Sequence, residues 1–317
     1  MKKLLLTLII VLFVFSVFIY FFIPTNIVMV SSIVVKAPDI VAERFITTES
    51  KWSNWWNYTD TNTVLHQKLP VNGFRKNDVA FKLINPLYKS ADIQITHSGE
   101  TLKGKLVIIG LAVDSTGIEL KTSLHTGYNP YKRITGYFSA RLIKKNIDAV
   151  LKDLKSFLTK PENVYGIGIE RVSIKDTQFV STKKIIKAVP GNSEIYQLIG
   201  QLKNYAASKG AIQTGSPIYN VTDLQDGTNR LMVGIPINKS VPENDLFSIK
   251  RMIKGSFMIT EVVGGDSAVE KASKNLLLYF KDYRKTSMAI NFNMLITDRM
   301  MQPDSTKWIT RLYQPVY

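Results

Sequence analysis

Hydrophobic residues are distributed along this chain in three rhythms. From Leu4 to Ile23 they run almost unbroken, with only Thr7, Ser16 and Tyr20 as mild polar exceptions. About twenty such residues at 1.5 Å rise match a hydrocarbon core of roughly 30 Å, which predicts a transmembrane helix within residues 1–26. A cleaved leader is the competing expectation, with a shorter apolar region of about 7–15 residues and a small-x-small cleavage site. Here bulky Tyr20-Phe21-Phe22-Ile23-Pro24 follows instead, and an uncleaved anchor is preferred. Lys2 and Lys3 precede the run and no charge follows before Lys36. The positive-inside rule then predicts a single-pass protein of the inner (cytoplasmic) membrane, N-terminus cytoplasmic and body extracytoplasmic.

The second rhythm, over residues 27–162, is alternation closed by a helical stripe. Ile27 to Val35 is β-rich and runs into Lys36-Ala37-Pro38, where proline opens a short helix with Ile40, Val41, Phe45 and Ile46 at helical spacing. Ala91, Ile93 and Ile95 alternate with polar residues, as do Ile118, Leu120 and Leu124, which predicts an antiparallel sheet with one buried face. Ile143, Ile147, Val150, Leu151, Leu154 and Leu158 form one apolar stripe that Pro161 stops. Three of the four tryptophans fall in Trp52, Trp55 and Trp56, a density that favours core packing over a cofactor site.

The third rhythm repeats. Tyr219-Asn220-Val221-Thr222-Asp223 matches Met294-Leu295-Ile296-Thr297-Asp298 at an offset of 75 residues. Gly234-Ile235-Pro236-Ile237 answers Tyr313-Gln314-Pro315-Val316. Each copy reads strand, helix, strand, strand, with helices expected after caps at Asn192 or Ser193 and at Asp266 or Ser267. In the second copy a strand is expected through Met288, Ile290, Phe292, Met294 and Ile296. Two such units related by a pseudo-twofold predict one continuous sheet with both helices on one face, and a ligand groove where the copies meet. This module occupies residues 163–317.

Composition narrows the chemistry. No cysteine is present, which excludes disulfides, thiol nucleophiles and Cys-ligated metal sites. His66, His97 and His125 lie far apart without paired spacing, so no metal site and no cofactor is expected. A formal charge of +16 favours anionic partners and allows basic clusters such as Lys183, Lys184 and Lys187, or Lys250, Arg251 and Lys254, to contact anionic headgroups. No nucleic-acid-binding motif is present, and no nucleophile–base pair is legible, so no catalytic residue is assigned and the balance leans against an enzyme.

The order of a strand ending in Lys36-Ala37-Pro38, a short helix, a Trp-rich turn, a meander, then "NPYKRITGYF" and a helix containing "LKDLKSFL" resembles the START-like (SRPBCC, polyketide cyclase-like) family. That resemblance implies a helix-grip fold, a curved antiparallel sheet around a long C-terminal helix, with an apolar cavity between them. The repeated half, through Thr297-Asp298, Asp304, Lys307-Trp308-Ile309-Thr310 and Tyr313-Gln314-Pro315-Val316, resembles the gyrase-inhibitor-like effector-binding family. The implied architecture is α+β: an N-terminal transmembrane helix, a helix-grip domain, then a duplicated βαββ effector-binding domain, an arrangement similar to that of bacterial envelope proteins.

Members of the effector-binding family commonly carry an acid at the position of Arg311 and use it against cationic ligands. Here Arg311 shares a strand face with Ile309 and Tyr313, beside Trp308. Three environments are open to it: a structural pair with Glu261, an anionic ligand held in bidentate fashion, or solvent. The ligand-binding candidates are therefore Arg311, Tyr313, Ile309, Trp308 and Glu261. The expected function is membrane-anchored, non-enzymatic binding of apolar or amphipathic small molecules, using a START-like cavity and an effector-binding groove. An envelope hydrolase or cyclase, or a sensor feeding a regulatory partner, are the alternatives.

Overall fold

Period-two alternation builds two curled antiparallel sheets, one in each of two units, Met1–Lys160 and Pro161–Tyr317. The structure, a computed structural model, describes residues 2–56, 73–174, 177–252, 254–287 and 289–317, with side chains omitted at 2–5, 8, 12 and 15. Asn57, His66 and Met288 lie outside the described residues.

The apolar run folds as a helix, α1 (Lys2–Phe22), but the anchor expected from it is not sustained. Among the described residues, no helix is long and apolar enough to cross a membrane. The last turn of α1 is instead held by its own unit. Ile19 is buried, and Arg133 lies over the Tyr20 ring at 4.6 Å. The Arg133 guanidinium donates to the carbonyls of Tyr20 (3.3 Å) and Ile23 (2.8 Å), and Tyr20 Oη donates to Tyr128 O at 2.7 Å. Counting hydropathy alone included residues that the fold ties to protein. The single-pass topology, the inner-membrane location and the membrane-anchored part of the expected function are corrected with it. Leu6, Ile9, Phe13 and Phe21 of α1 remain exposed.

The first sheet has the order β1-β6-β5-β4-β3-β2, from β1 (Asn26–Val35), β2 (Phe74–Lys76), β3 (Val79–Leu87), β4 (Ser90–His97), β5 (Glu100–Ala112) and β6 (Ser115–His125). A short helix, α2 (Asp39–Ile46), follows β1, and a long one, α3 (Pro130–Leu158), follows β6. Asn129 caps α3 by accepting from the Tyr131 and Lys132 amides, and Pro130 opens it. The apolar stripe of α3 is its buried face. Gly136, within that helix, stands against β6's exit, where a Cβ would collide with the Thr126 methyl.

Trp52, Trp55 and Trp56 fill the space between this sheet and α3. Their indole N–H groups donate to the carbonyls of Ile46 (2.8 Å), Phe45 (3.2 Å) and Arg75 (2.7 Å), so each ring buries its body while keeping its polar atom satisfied. Around them, between Ile147, Leu151, Leu154 and the sheet, a void of about 20 Å³ remains. That is room for about one water, not for the ligand implied by a START-like cavity.

The second unit holds α4 (Pro161–Tyr165), β7 (Glu170–Ile174), β8 (Thr177–Ile186), α5 (Asn192–Ser208), β9 (Ile218–Asp223) and β10 (Asn229–Pro236). Then come β11 (Ser248–Met252), β12 (Gly255–Val263), α6 (Asp266–Asp282), β13 (Phe292–Leu295) and β14 (Ile309–Val316). Their order, β11-β8-β10-β9-β13-β14-β12-β7, reads the same from either end under exchange of the repeats. Each repeat is preceded by a lead strand, β7 or β11, that pairs with the other repeat's first strand. Periodicity does not reveal these short edge strands as members of the opposite repeat. Strand β13 is shorter than expected, because Asn220 Nδ2 takes up the Asn291 carbonyl at 2.8 Å and the pairing with β9 spans only Asn293↔Tyr219 and Met294↔Ile218.

Gly191 and Gly265 take the N-cap positions of α5 and α6, one residue before the caps expected. Asn192 and Asp266 are thereby freed to meet Arg299. This buried guanidinium donates to Asn192 Oδ1 (2.6 Å), Asp266 Oδ1 (2.8 Å) and Thr310 Oγ1 (2.8 Å), and lies 4.7 Å from the Trp308 ring centre. One side chain thus ties together the first turns of both repeats' helices.

Candidate functional site

Alternation splits the eight-stranded sheet into a helix face and an open face. Leu231, Val233 and Ile235 of β10 pack with Ile195, Leu198, Ile199 and Leu202 of α5 on the helix face. On the open face the two repeats present matched positions whose identities differ. Register places Phe179, Ile218 and Gly234 in the first repeat where the second has Phe257, Phe292 and Tyr313.

In the second repeat this trio closes up. Tyr313 stacks on Phe292 with centroids 4.6 Å apart and meets the Phe257 edge at 6.1 Å. In the first repeat glycine replaces tyrosine and leaves space. A Cβ on Gly234 would rest at ordinary contact, 3.5 Å from Ile218 Cγ1 and 3.6 Å from Phe179 Cδ1, so any larger side chain would project into that space.

The result is a groove of about 840 Å³ on the open face, lined by both repeats and reaching into the space at Gly234. Its floor is apolar, from Phe179, Ile218, Met232, Phe257 and Phe292, with Ser181, Asn220 and Ser256 as polar points. Arg171, Lys250, Arg251 and Lys254 border it, and among the described residues no aspartate, glutamate or histidine does. Arg171 Nη2 donates to Ser256 Oγ at 3.3 Å. Tyr219 also borders the groove; burial pushes its phenol above the ordinary tyrosine value.

The five residues singled out from sequence occupy neighbouring ground. Arg311 faces Glu261 across β14 and β12, with Nη2 and Nε both donating to Glu261 Oε2 at 2.7 and 3.3 Å. Of the three environments open to Arg311, the structure shows this pair, at side-chain exposures of 33% and 46%. The hydrogen bond to Glu261 holds the guanidinium further toward its charged form. Tyr313 is the plug of the closed half, and Ile309 begins the same strand. Trp308 Nε1 donates to Gln302 O at 2.7 Å under Arg299. None of the five borders the open groove. The residues that shape it were not legible from one repeat alone: Gly234 acquires meaning only opposite Tyr313.

No protein-family model matches the chain, and no curated protein matches it. Among solved structures, the C-terminal domain of EcmrR is similar at 15% identity and TM-score 0.42, over 48% of this chain and 98% of that one. SAV2435 bound to tetraphenylphosphonium is similar at 14% identity and TM-score 0.35, over 47% and 93%. A hydrolase from Listeria innocua is similar at 14% identity and TM-score 0.37, over 47% and 91%. At such identities and scores the likeness carries no argument about family or chemistry. The START-like resemblance of residues 27–162 is not confirmed.

Proposed function

We propose that the second unit is a non-enzymatic binding domain for an apolar or amphipathic small molecule, held in the groove on the open face of the sheet. The observation that carries this is the Gly234/Tyr313 difference, which leaves one of two matched half-sites filled by protein and the other open. A volume of about 840 Å³ lies within the roughly 300–1,000 Å³ typical of small-molecule sites, and an apolar floor with a few polar points is their usual composition. Among the described residues, the groove's border supplies no carboxylate or imidazole for acid–base work, which favours binding over the hydrolase alternative. In this proposal Tyr313 backs Phe292 and Phe257, which line the site, and Arg311 with Glu261 forms a mutually neutralised pair beyond it.

The test is binding of the neutral dye N-phenyl-1-naphthylamine to the full chain, read by fluorescence. Gly234→Phe places a ring where Tyr313's ring stands in the other repeat, and is expected to abolish the high-affinity component. Dye binding unchanged in that variant, with the fold intact by circular dichroism, refutes the groove as the site.

A further inference from the structure

Resting on that groove, the structure assigns a chemical class to its ligand: we propose a single-tailed amphiphile with an anionic head, a carboxylate or a phosphate. The tail lies on the apolar floor and the head meets the cations at the border. Those cations come from both lead strands and from the turn that follows β11. Arg171 is on β7, Lys250 is on β11, and Lys254 precedes β12. Pairing of Lys250 with Phe179 across β11 and β8 puts the lysine on the same face as the floor.

These strands stand at opposite ends of the sheet order, so it is the curl of the sheet that gathers their charges around one cavity. Among the described residues, neither Lys250 nor Lys254 has a carboxylate partner, in contrast to Arg311, which Glu261 neutralises. Like charges gathered at an apolar cleft raise its affinity for an anion and repel a lipophilic cation, because the low-dielectric wall weakens screening.

Displacement of N-phenyl-1-naphthylamine from the full chain tests this, using four twelve-carbon probes below their micelle concentrations. Dodecyl phosphate and laurate are the anionic arms, dodecyltrimethylammonium the cationic arm and dodecyl maltoside the neutral arm. The better anion is expected to bind at least about tenfold more tightly than the cation, a preference that weakens with added salt; which anion it is tells phosphate from carboxylate. The double variant Lys250→Glu/Lys254→Glu is expected to remove or invert the preference while leaving dodecyl maltoside within about twofold. Should that variant fail to fold, Lys250→Gln/Lys254→Gln replaces it, with a smaller loss in the same direction. Gly234→Phe separates binding in the cavity from binding to the exposed apolar side chains of α1, which it leaves untouched. A cation that binds as well as the better anion, or a preference unmoved by the lysine variants, overturns the anionic assignment and leaves the groove standing. Displacement by all four probes that survives Gly234→Phe overturns the groove itself.

Discussion

Replacing Arg299 by methionine is expected to be among the most costly single changes in the second unit, although nothing about the position is conspicuous in sequence. The guanidinium is 1% exposed and donates to Asn192, Asp266 and Thr310 at 2.6–2.8 Å. Breaking a buried pair by removing one partner costs about 3–5 kcal/mol. Two features lower that figure here. Asp266 is 64% exposed and regains water, and Arg299 Nε is buried without a hydrogen-bond partner, a cost that methionine removes. Loss of the contact with Trp308 adds roughly 0.5–1 kcal/mol. The expected net loss is about 2–4 kcal/mol, or roughly 5–15 °C in the melting of a unit of this size. Scanning calorimetry of the full chain is the appropriate measurement, since two units need not unfold as one transition. Asp266→Asn is expected to cost under about 1 kcal/mol, because Arg299 keeps its other acceptors and the exposed partner is easily hydrated. A loss below about 1 kcal/mol for Arg299→Met, or equal losses for the two variants, refutes the view that Arg299 clamps the helices of the two repeats.

Stability is also expected to fall at alkaline pH. Burial raises the Tyr219 and Tyr196 phenols above the ordinary value in the folded chain, so the unfolded chain loses these protons first. The contribution is fully present below the unfolded value of about 10 and is lost as pH rises through the folded one. Urea unfolding at about pH 8 and about pH 11 checks this: Tyr219→Phe is expected to lose less stability over that interval than wild type, and equal losses contradict it. The Arg311–Glu261 pair, being a third to a half exposed, is expected to contribute under about 1 kcal/mol. Arg311→Ala measured by urea unfolding is the check, and a cost above about 2 kcal/mol would give the pair an anchoring role.

How much of this was readable beforehand differs from element to element. The α3 stripe was legible because six apolar residues at helical spacing have one arrangement that buries them all. The tryptophans were legible as packing residues, but not the consequence that they leave only about 20 Å³ between sheet and helix. The N-terminal run misled because hydropathy counts residues without knowing that Ile19, Tyr20 and Ile23 are taken up by Arg133 and its surroundings. The helix caps missed by one residue for a related reason: Asn192 and Asp266 have the side chains of caps, but Arg299 competes for their oxygens. At Arg311 the sequence left three environments, and only the cross-strand register with Glu261 chose between them.

By itself, the sequence determined the things that depend on local period and composition: helices and strands in order, the internal repeat, the basic balance, and the absence of thiol chemistry. The tertiary structure alone decided where a ligand has room. That depends on which residue of one repeat stands opposite which residue of the other, and on where the exchanged lead strands carry their charges. Gly234 is an ordinary strand glycine until the pseudo-twofold sets it against Tyr313, and Lys250 and Lys254 are ordinary surface lysines until the sheet curls around the space that glycine leaves.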